Sequence, residues 1–177
     1  MVMDEGLDSG PILAQEKAGI SFMNTTGSLS SKLARIGAKL LLETLPKWVE
    51  GELKPQAQDE SQATFSKLIT SKDAEIDWYL SAVELWRRVR AYNPWPTSYT
   101  WYRGKRLKIH KAIPFGDAAK GEIGEVVALA EPPGAGVVTR QGVLGLCQVQ
   151  LEGRRQMPID NFLLGHRDFV GCVLGKK

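Results

Sequence analysis

The chain has 177 residues, of which 43% are hydrophobic and 24% charged, with a mean hydropathy of −0.20 and a formal net charge of +3; this suits a globular protein of one or two domains. No apolar run approaches the roughly 18–20 residues of a membrane helix, and the acidic opening MVMDEGLDSG lacks the cationic and apolar regions of a secretory leader. Cys147 and Cys172 have no C-x-x-C spacing, which argues against a disulfide framework and a cysteine zinc site and makes the cytoplasm the expected compartment.

In chain order, Asp8-Ser9-Gly10-Pro11 is a turn signal between two short apolar runs, and it predicts a strand, a tight turn and a second strand. The next segment, TTGSLSSKLARIGAKLLLETLPKWVEGE, places Leu29, Leu33, Ile36, Leu40 and Leu41 at helical spacing. Pro46 is expected to kink or end that helix, and Gly51 is its stop signal. GELKPQAQDESQATFS is polar and aperiodic, so residues 53–70 read as a linker between a first unit over 1–52 and a second over 71–177. Ser81 and Glu84 have capping-box spacing ahead of an amphipathic helix whose buried edge is expected at Val83, Trp86 and Val89, with NPWP ending it.

From Thr97 the period becomes two. TSYTWY and RLKIHKAI flank a predicted two-residue turn at Gly104-Lys105, with Leu107, Ile109 and Ile113 alternating against Lys108 and His110. GEIGEVVALA, GVVTR and GVLGLCQVQL read as further strands, and PIDNFLLG as a short helix. The fold class is therefore mainly β with helices, and five or so short strands at hairpin spacing imply an antiparallel barrel or sandwich.

Charge is unevenly divided. Residues 1–84 hold 8 Lys/Arg against 13 Asp/Glu, a balance of −5, and residues 85–177 hold 15 against 7, a balance of +8. Arg87, Arg88, Arg90, Arg103, Lys105, Arg106, Lys108 and Lys111 fall within 25 consecutive positions, and Arg140, Arg154 and Arg155 extend the basic set. Cations interleaved with rings suit a surface that meets phosphates and bases, and the cations are expected on one side of the β module. Trp95, Tyr99 and Trp101 have two readings, stacking platforms or core, and the preference of large rings for the interior favours core. For catalysis the sequence offers little. His110 and His166 stand outside any nucleophile, metal or phosphate motif, and Asp4, Glu5 and Asp8 are ordinary turn residues.

MDEGLDSGPIL, GSLSSKLARIGAKLL and above all IDWYLSAVELWRRVRAYNPWPTSY resemble the methionyl-tRNA formyltransferase family over nearly the whole chain. The resemblance implies the end of a Rossmann-like catalytic domain followed by an OB-like Greek-key barrel that grips initiator methionyl-tRNA. It also implies 10-formyltetrahydrofolate as cosubstrate of the full-length enzymes and no cofactor held by this chain. The family's formyl-transfer residues are an Asn, a His in an N-x-H motif and an Asp; no N-x-H occurs here, so none is carried over and catalysis by the chain alone is not expected. Related sugar-nucleotide formyltransferases are the alternative, disfavoured by NPWP and the basic half. A further expectation is self-association into a homodimer through the orphaned helix stripe and strand edge of the first segment.

Overall fold

The computed structural model describes residues 1–116 and 121–175. Residues 117–120, 176 and 177, all within the segment expected to form the barrel, lie outside the described residues. The chain divides into two compact units, Met1–Leu68 and Ile69–Lys177.

In the first unit the two expected strands around Asp8–Pro11 do not form. Val2 N donates to Pro11 O (2.9 Å), and Ile12 exchanges backbone bonds with Gln56 in a single bridge (2.8 and 2.9 Å). Extended backbone becomes a strand only when a neighbour continues the ladder, and a single bridge leaves it as loop. The polar segment after the helix is tied to this loop as well, because Gln58 Nε2 donates to Asp8 O (2.8 Å) and Gly10 O (2.7 Å).

The helix itself, α1 (Thr26–Val49), starts where Thr25 and Ser28 cap each other. Thr25 Oγ1 accepts from Ser28 N (3.2 Å), and Ser28 Oγ accepts from Thr25 N (3.0 Å). Pro46 neither ends nor visibly interrupts it: Pro46 O still accepts from Glu50 N (2.9 Å). Proline removes one donor, and here the carbonyl it fails to serve belongs to exposed Leu42, where water can replace it. Gly51 stops the helix in the left-handed conformation (φ +77°), which costs glycine little. Along the expected stripe Leu29, Ile36 and Leu40 are half-buried, Leu33 and Leu41 are exposed, and no α1 residue is buried.

The second unit opens with a short 3-10 helix (Ser71–Ala74) and the IDW segment. Ile76 N donates to Tyr99 O (2.8 Å), and buried Trp78 donates from Nε1 to Thr100 Oγ1 (3.2 Å). Helix α2 (Ala82–Ala91) begins at Ser81, whose hydroxyl accepts from Glu84 N (3.2 Å). Glu84's side chain turns instead to Arg88 (3.2 Å), so only half of the expected box forms. The buried edge is Ala82, Leu85, Trp86 and Val89, while Val83 is 44% exposed; the helix is rotated by about a residue from the sequence expectation because Leu85 outcompetes Val83 for the interior.

Among the described residues six strands follow: β1 (Tyr99–Tyr102), β2 (Lys105–Phe115), β3 (Val126–Ala128), β4 (Ala135–Val138), β5 (Val143–Leu151) and β6 (Met157–Pro158), then α3 (Ile159–Gly165). They form one curled antiparallel sheet, a half-barrel of OB-like character, in the order β1-β2-β5-β4-β3 with β6 on β5. The hairpin turn is one residue earlier than predicted. Tyr102 pairs with Lys105, so Arg103 (φ 51°) and Gly104 (φ 70°) are the loop, both left-handed, the geometry that matches strand twist.

The alternation along β2 also breaks. Leu107 and Ile109 are buried, a bulge follows at His110, and Ala112 rather than Ile113 is the next buried residue. The bulge carbonyl of His110 accepts from Asn93 Nδ2 (2.8 Å), which gives the NPWP turn a structural task. The core joins Leu85, Trp86 and Val89 of α2 to Leu107, Ile109 and Val149 of the sheet and to Phe162 and Phe169.

Candidate nucleic-acid interface

Residues alternating with the buried Leu107 and Ile109 must emerge on the other face of β2, and these are Arg106, Lys108 and His110. Cross-strand pairing sets their neighbours. Trp101 lies opposite Arg106, Tyr99 opposite Lys108, and Gln150 opposite Lys108 on the other side. The outer face of β1, β2 and β5 thus gathers two rings, two cations, an imidazole and an amide.

Arg106 lies over both rings, its guanidinium carbon 4.4 Å from the Tyr99 centroid and 5.6 Å from that of Trp101. Its backbone bonds in both directions to Glu152, N to the Glu152 Oε2 (3.1 Å) and O from Glu152 N (2.9 Å). His110 Nε2 meets Gln150 Oε1 at 3.0 Å, while Gln150 Nε2 donates to Arg154 O (3.0 Å), an amide orientation that places the imidazole proton on Nε2. Burial pushes the His110 pKa below its ordinary value, the Gln150 bond opposes this, and the Lys108 charge adds to it. A cleft of about 260 Å³ opens here, lined by Arg106, Lys108, Gln150, Leu151, Glu152 and Gly153.

The remaining predicted cations do not join this cluster on one side. Arg87 and Arg88 are exposed on α2, the helix that packs on the inner face of the sheet, and Arg88 pairs with Glu84. Arg90 is laid along Trp86, 3.9 Å from the ring centroid. Arg103, at the hairpin tip, is ion-paired with Asp168 and lies 5.5 Å from the Tyr102 ring centroid. Arg140 borders a second cleft of about 530 Å³ with Tyr79, Leu80, Ser81, Glu84 and Gln141. Lys105, Lys111, Arg154 and Arg155 are exposed. The helix and the sheet therefore split the basic run, because the helix period and the strand period aim neighbouring residues of one sequence at opposite sides.

The rings divide too. Tyr99 is buried and Trp101 half-buried, but Trp95 is 62% exposed and is not core. Its neighbours explain this: the turn is closed by Thr97 Oγ1 donating to Pro94 O (2.7 Å), which leaves the intervening indole outside.

Residues 68–167 match the family model described as formyl transferase, C-terminal domain, which is more than half of the chain. The chain belongs to the formyl transferase family. It is 42% identical over 94% of its length to the methionyl-tRNA formyltransferase of Myxococcus xanthus, and 39% identical over 95% to that of Coxiella burnetii. It spans about half of each of these curated relatives, 53% in both cases. Among solved structures, HypX from Aquifex aeolicus shares the fold with a TM-score of 0.71, 21% identity, and coverage of 95% of this chain and 30% of that one.

Within this formyl transferase C-terminal domain the sequence pattern located Arg106, Lys108 and His110 as one face. It missed Glu75, which reaches Tyr99 and Trp101, and Glu152, whose carboxylate accepts from Arg106 N. Neither has a periodicity to betray it. Gln150 was legible in principle, because it continues the alternation of Val149 and Leu151 in the last long strand. Among the described residues no helix is long and apolar enough to cross a membrane.

Proposed function

We propose that this chain is the C-terminal part of a methionyl-tRNA formyltransferase and that it contributes the RNA grip. The single observation that carries the reading is the row of Arg106 and Lys108 on the outer sheet face, beside Tyr99 and Trp101, in a domain of this family. Guanidinium and ammonium groups recognise phosphates, and the rings under Arg106, with Tyr99 buried, support that guanidinium rather than meet bases. Initiator methionyl-tRNA is the substrate that the likeness to methionyl-tRNA formyltransferases implies.

In the whole enzyme the methionyl amino nitrogen would attack the formyl carbon of 10-formyltetrahydrofolate. The new N–C bond forms, the folate N–C bond breaks, and the proton lost by the amine ends on the departing folate nitrogen. The family's Asn, His and Asp for that step are carried over onto no residue of this chain, and no turnover is expected from these 177 residues alone. Residues 1–52 are the end of the Rossmann-like domain, 53–70 the linker and 71–177 the RNA-binding domain. Arg106 and Lys108 form the main contact; Arg87, Arg88, Arg90, Arg103, Lys105, Lys111, Arg140, Arg154 and Arg155 act as outlying phosphate contacts or as structural cations.

Filter binding of initiator tRNA over roughly 50–200 mM salt tests the reading, because each neutralised phosphate steepens the salt dependence by about 0.7–0.9 in log–log slope. Arg106→Glu with Lys108→Glu is expected to weaken binding about tenfold or more and to flatten the slope, while Arg88→Glu does much less. Affinity that ignores salt, or that survives the double reversal, refutes it.

A further inference from the structure

A single carboxylate holds the ring pair beneath Arg106. Glu75 accepts from the Tyr99 hydroxyl through Oε2 (3.0 Å) and from the Trp101 indole N–H through Oε1 (2.8 Å). Glu75 is itself fixed from behind: it bridges Tyr99 in parallel, and the next residue, Ile76, donates its N–H to Tyr99 O (2.8 Å). The two rings meet edge to face, with centroids 6.1 Å apart and planes at 89°. Neither ring can turn without losing its bond to Glu75. The guanidinium lying over them forms no ion pair among the described residues, and Arg106 lines the cleft.

An arginine that grips a ligand loses much of its rotamer freedom, and one already laid on fixed rings loses less. We infer that Glu75 is a positioning residue: by locking Tyr99 and Trp101 it preorganises Arg106 to grip one phosphodiester of an RNA backbone beside Lys108. This rests on the RNA-binding reading above and assigns a role to an acidic residue within a basic face.

Bare electrostatics gives the opposite sign. Glu75 is an exposed anion next to the cations, and deleting a negative charge there would strengthen binding of a polyanion. A positioning role makes the deletion weaken it. The experiment is tRNA filter binding by the full 177-residue chain over a salt series, with Glu75→Ala, Arg106→Ala and the double variant. Glu75→Ala is expected to bind about fivefold more weakly, with a log–log salt slope lower by about 0.7–0.9, the value of one phosphate contact. In the Arg106→Ala background the same change is expected to weaken nothing further, because its effect runs through Arg106. Glu75→Gln, which keeps one acceptor, is expected to fall between.

If the unaltered chain fails to bind tRNA in a salt-dependent way, the RNA reading falls and this inference with it. If it binds and Glu75→Ala binds equally or more tightly, only the inference falls. Weakening by the same factor with and without Arg106 would also overturn it, since that result marks a general loss of structure.

Discussion

Both α1 and α2 carry an apolar stripe, yet they end in opposite situations. Across its 24 residues α1 buries nothing, and Leu41, Leu42, Leu45 and Val49 are all more than half exposed. The ten residues of α2 bury Ala82, Leu85, Trp86 and Val89. Every buried hydrophobic side chain in fact lies at Ala74 or beyond, in the second unit. Periodicity states which face of a helix is suited to burial. Whether that face is covered depends on a partner surface, and the curled sheet supplies one to α2. The stability of α1 has to come from its cap, its intrinsic propensity and the partial burial of Leu29, Ile36 and Leu40, weaker sources than a covered stripe.

The comparison can be broken most directly in the core. Phe162→Ala removes a ring in edge contact with Tyr102 and Phe169 and stacked on His166, and should cost about 3–5 kcal/mol in urea denaturation. Leu41→Ala should lie within about 0.5 kcal/mol of the unaltered chain. A large loss at Leu41 would mean that the α1 face is covered in solution.

Next in size is the hairpin. Gly104→Ala forces a Cβ into the left-handed region at φ 70° and should destabilise the second unit by about 1–2 kcal/mol by the same measurement, although nothing crowds the position. The helix caps sharpen the contrast further. Ser81→Ala is expected to lower the global stability by about 1 kcal/mol, because α2 is part of the core. Thr25→Ala should leave the main unfolding transition unchanged and only speed amide exchange at the start of α1.

The smallest expected effect is in pH. His110 has a folded pKa below its ordinary 6.5, from burial first. The unfolded chain therefore takes up the proton earlier, so the contribution is present above about pH 6.5 and is lost as pH falls through the folded value. Urea midpoints at pH 7.5 and pH 5 should differ slightly less in His110→Gln than in the unaltered chain, and an unchanged difference would remove His110 as a source.

Much of the second unit was legible because its signals are local. The Ser81 cap, the switch to period two after Thr97 and the outward set of Arg106, Lys108 and His110 all follow from neighbours a few residues apart. The errors are equally particular. The Gly104-Lys105 turn moved by one residue because Arg103 also accepts a left-handed conformation. Ile113 lost its place to Ala112 because a bulge shifts the phase, and that bulge is matched to β5 and to Asn93, both distant in sequence. The single basic side expected from the charge run became separate patches because half of the run is helix and half is strand.

By itself the sequence determined where α2 starts, which residues alternate early in β2, and that cations and rings are dense between Arg87 and Lys111, since propensity, capping and period act over a few residues. Tertiary structure alone decided that the α2 stripe is covered and that Glu75 meets Tyr99 and Trp101 under Arg106. The Glu75 contacts join positions 24 and 26 residues apart, and no local preference encodes which distant surface a side chain will find.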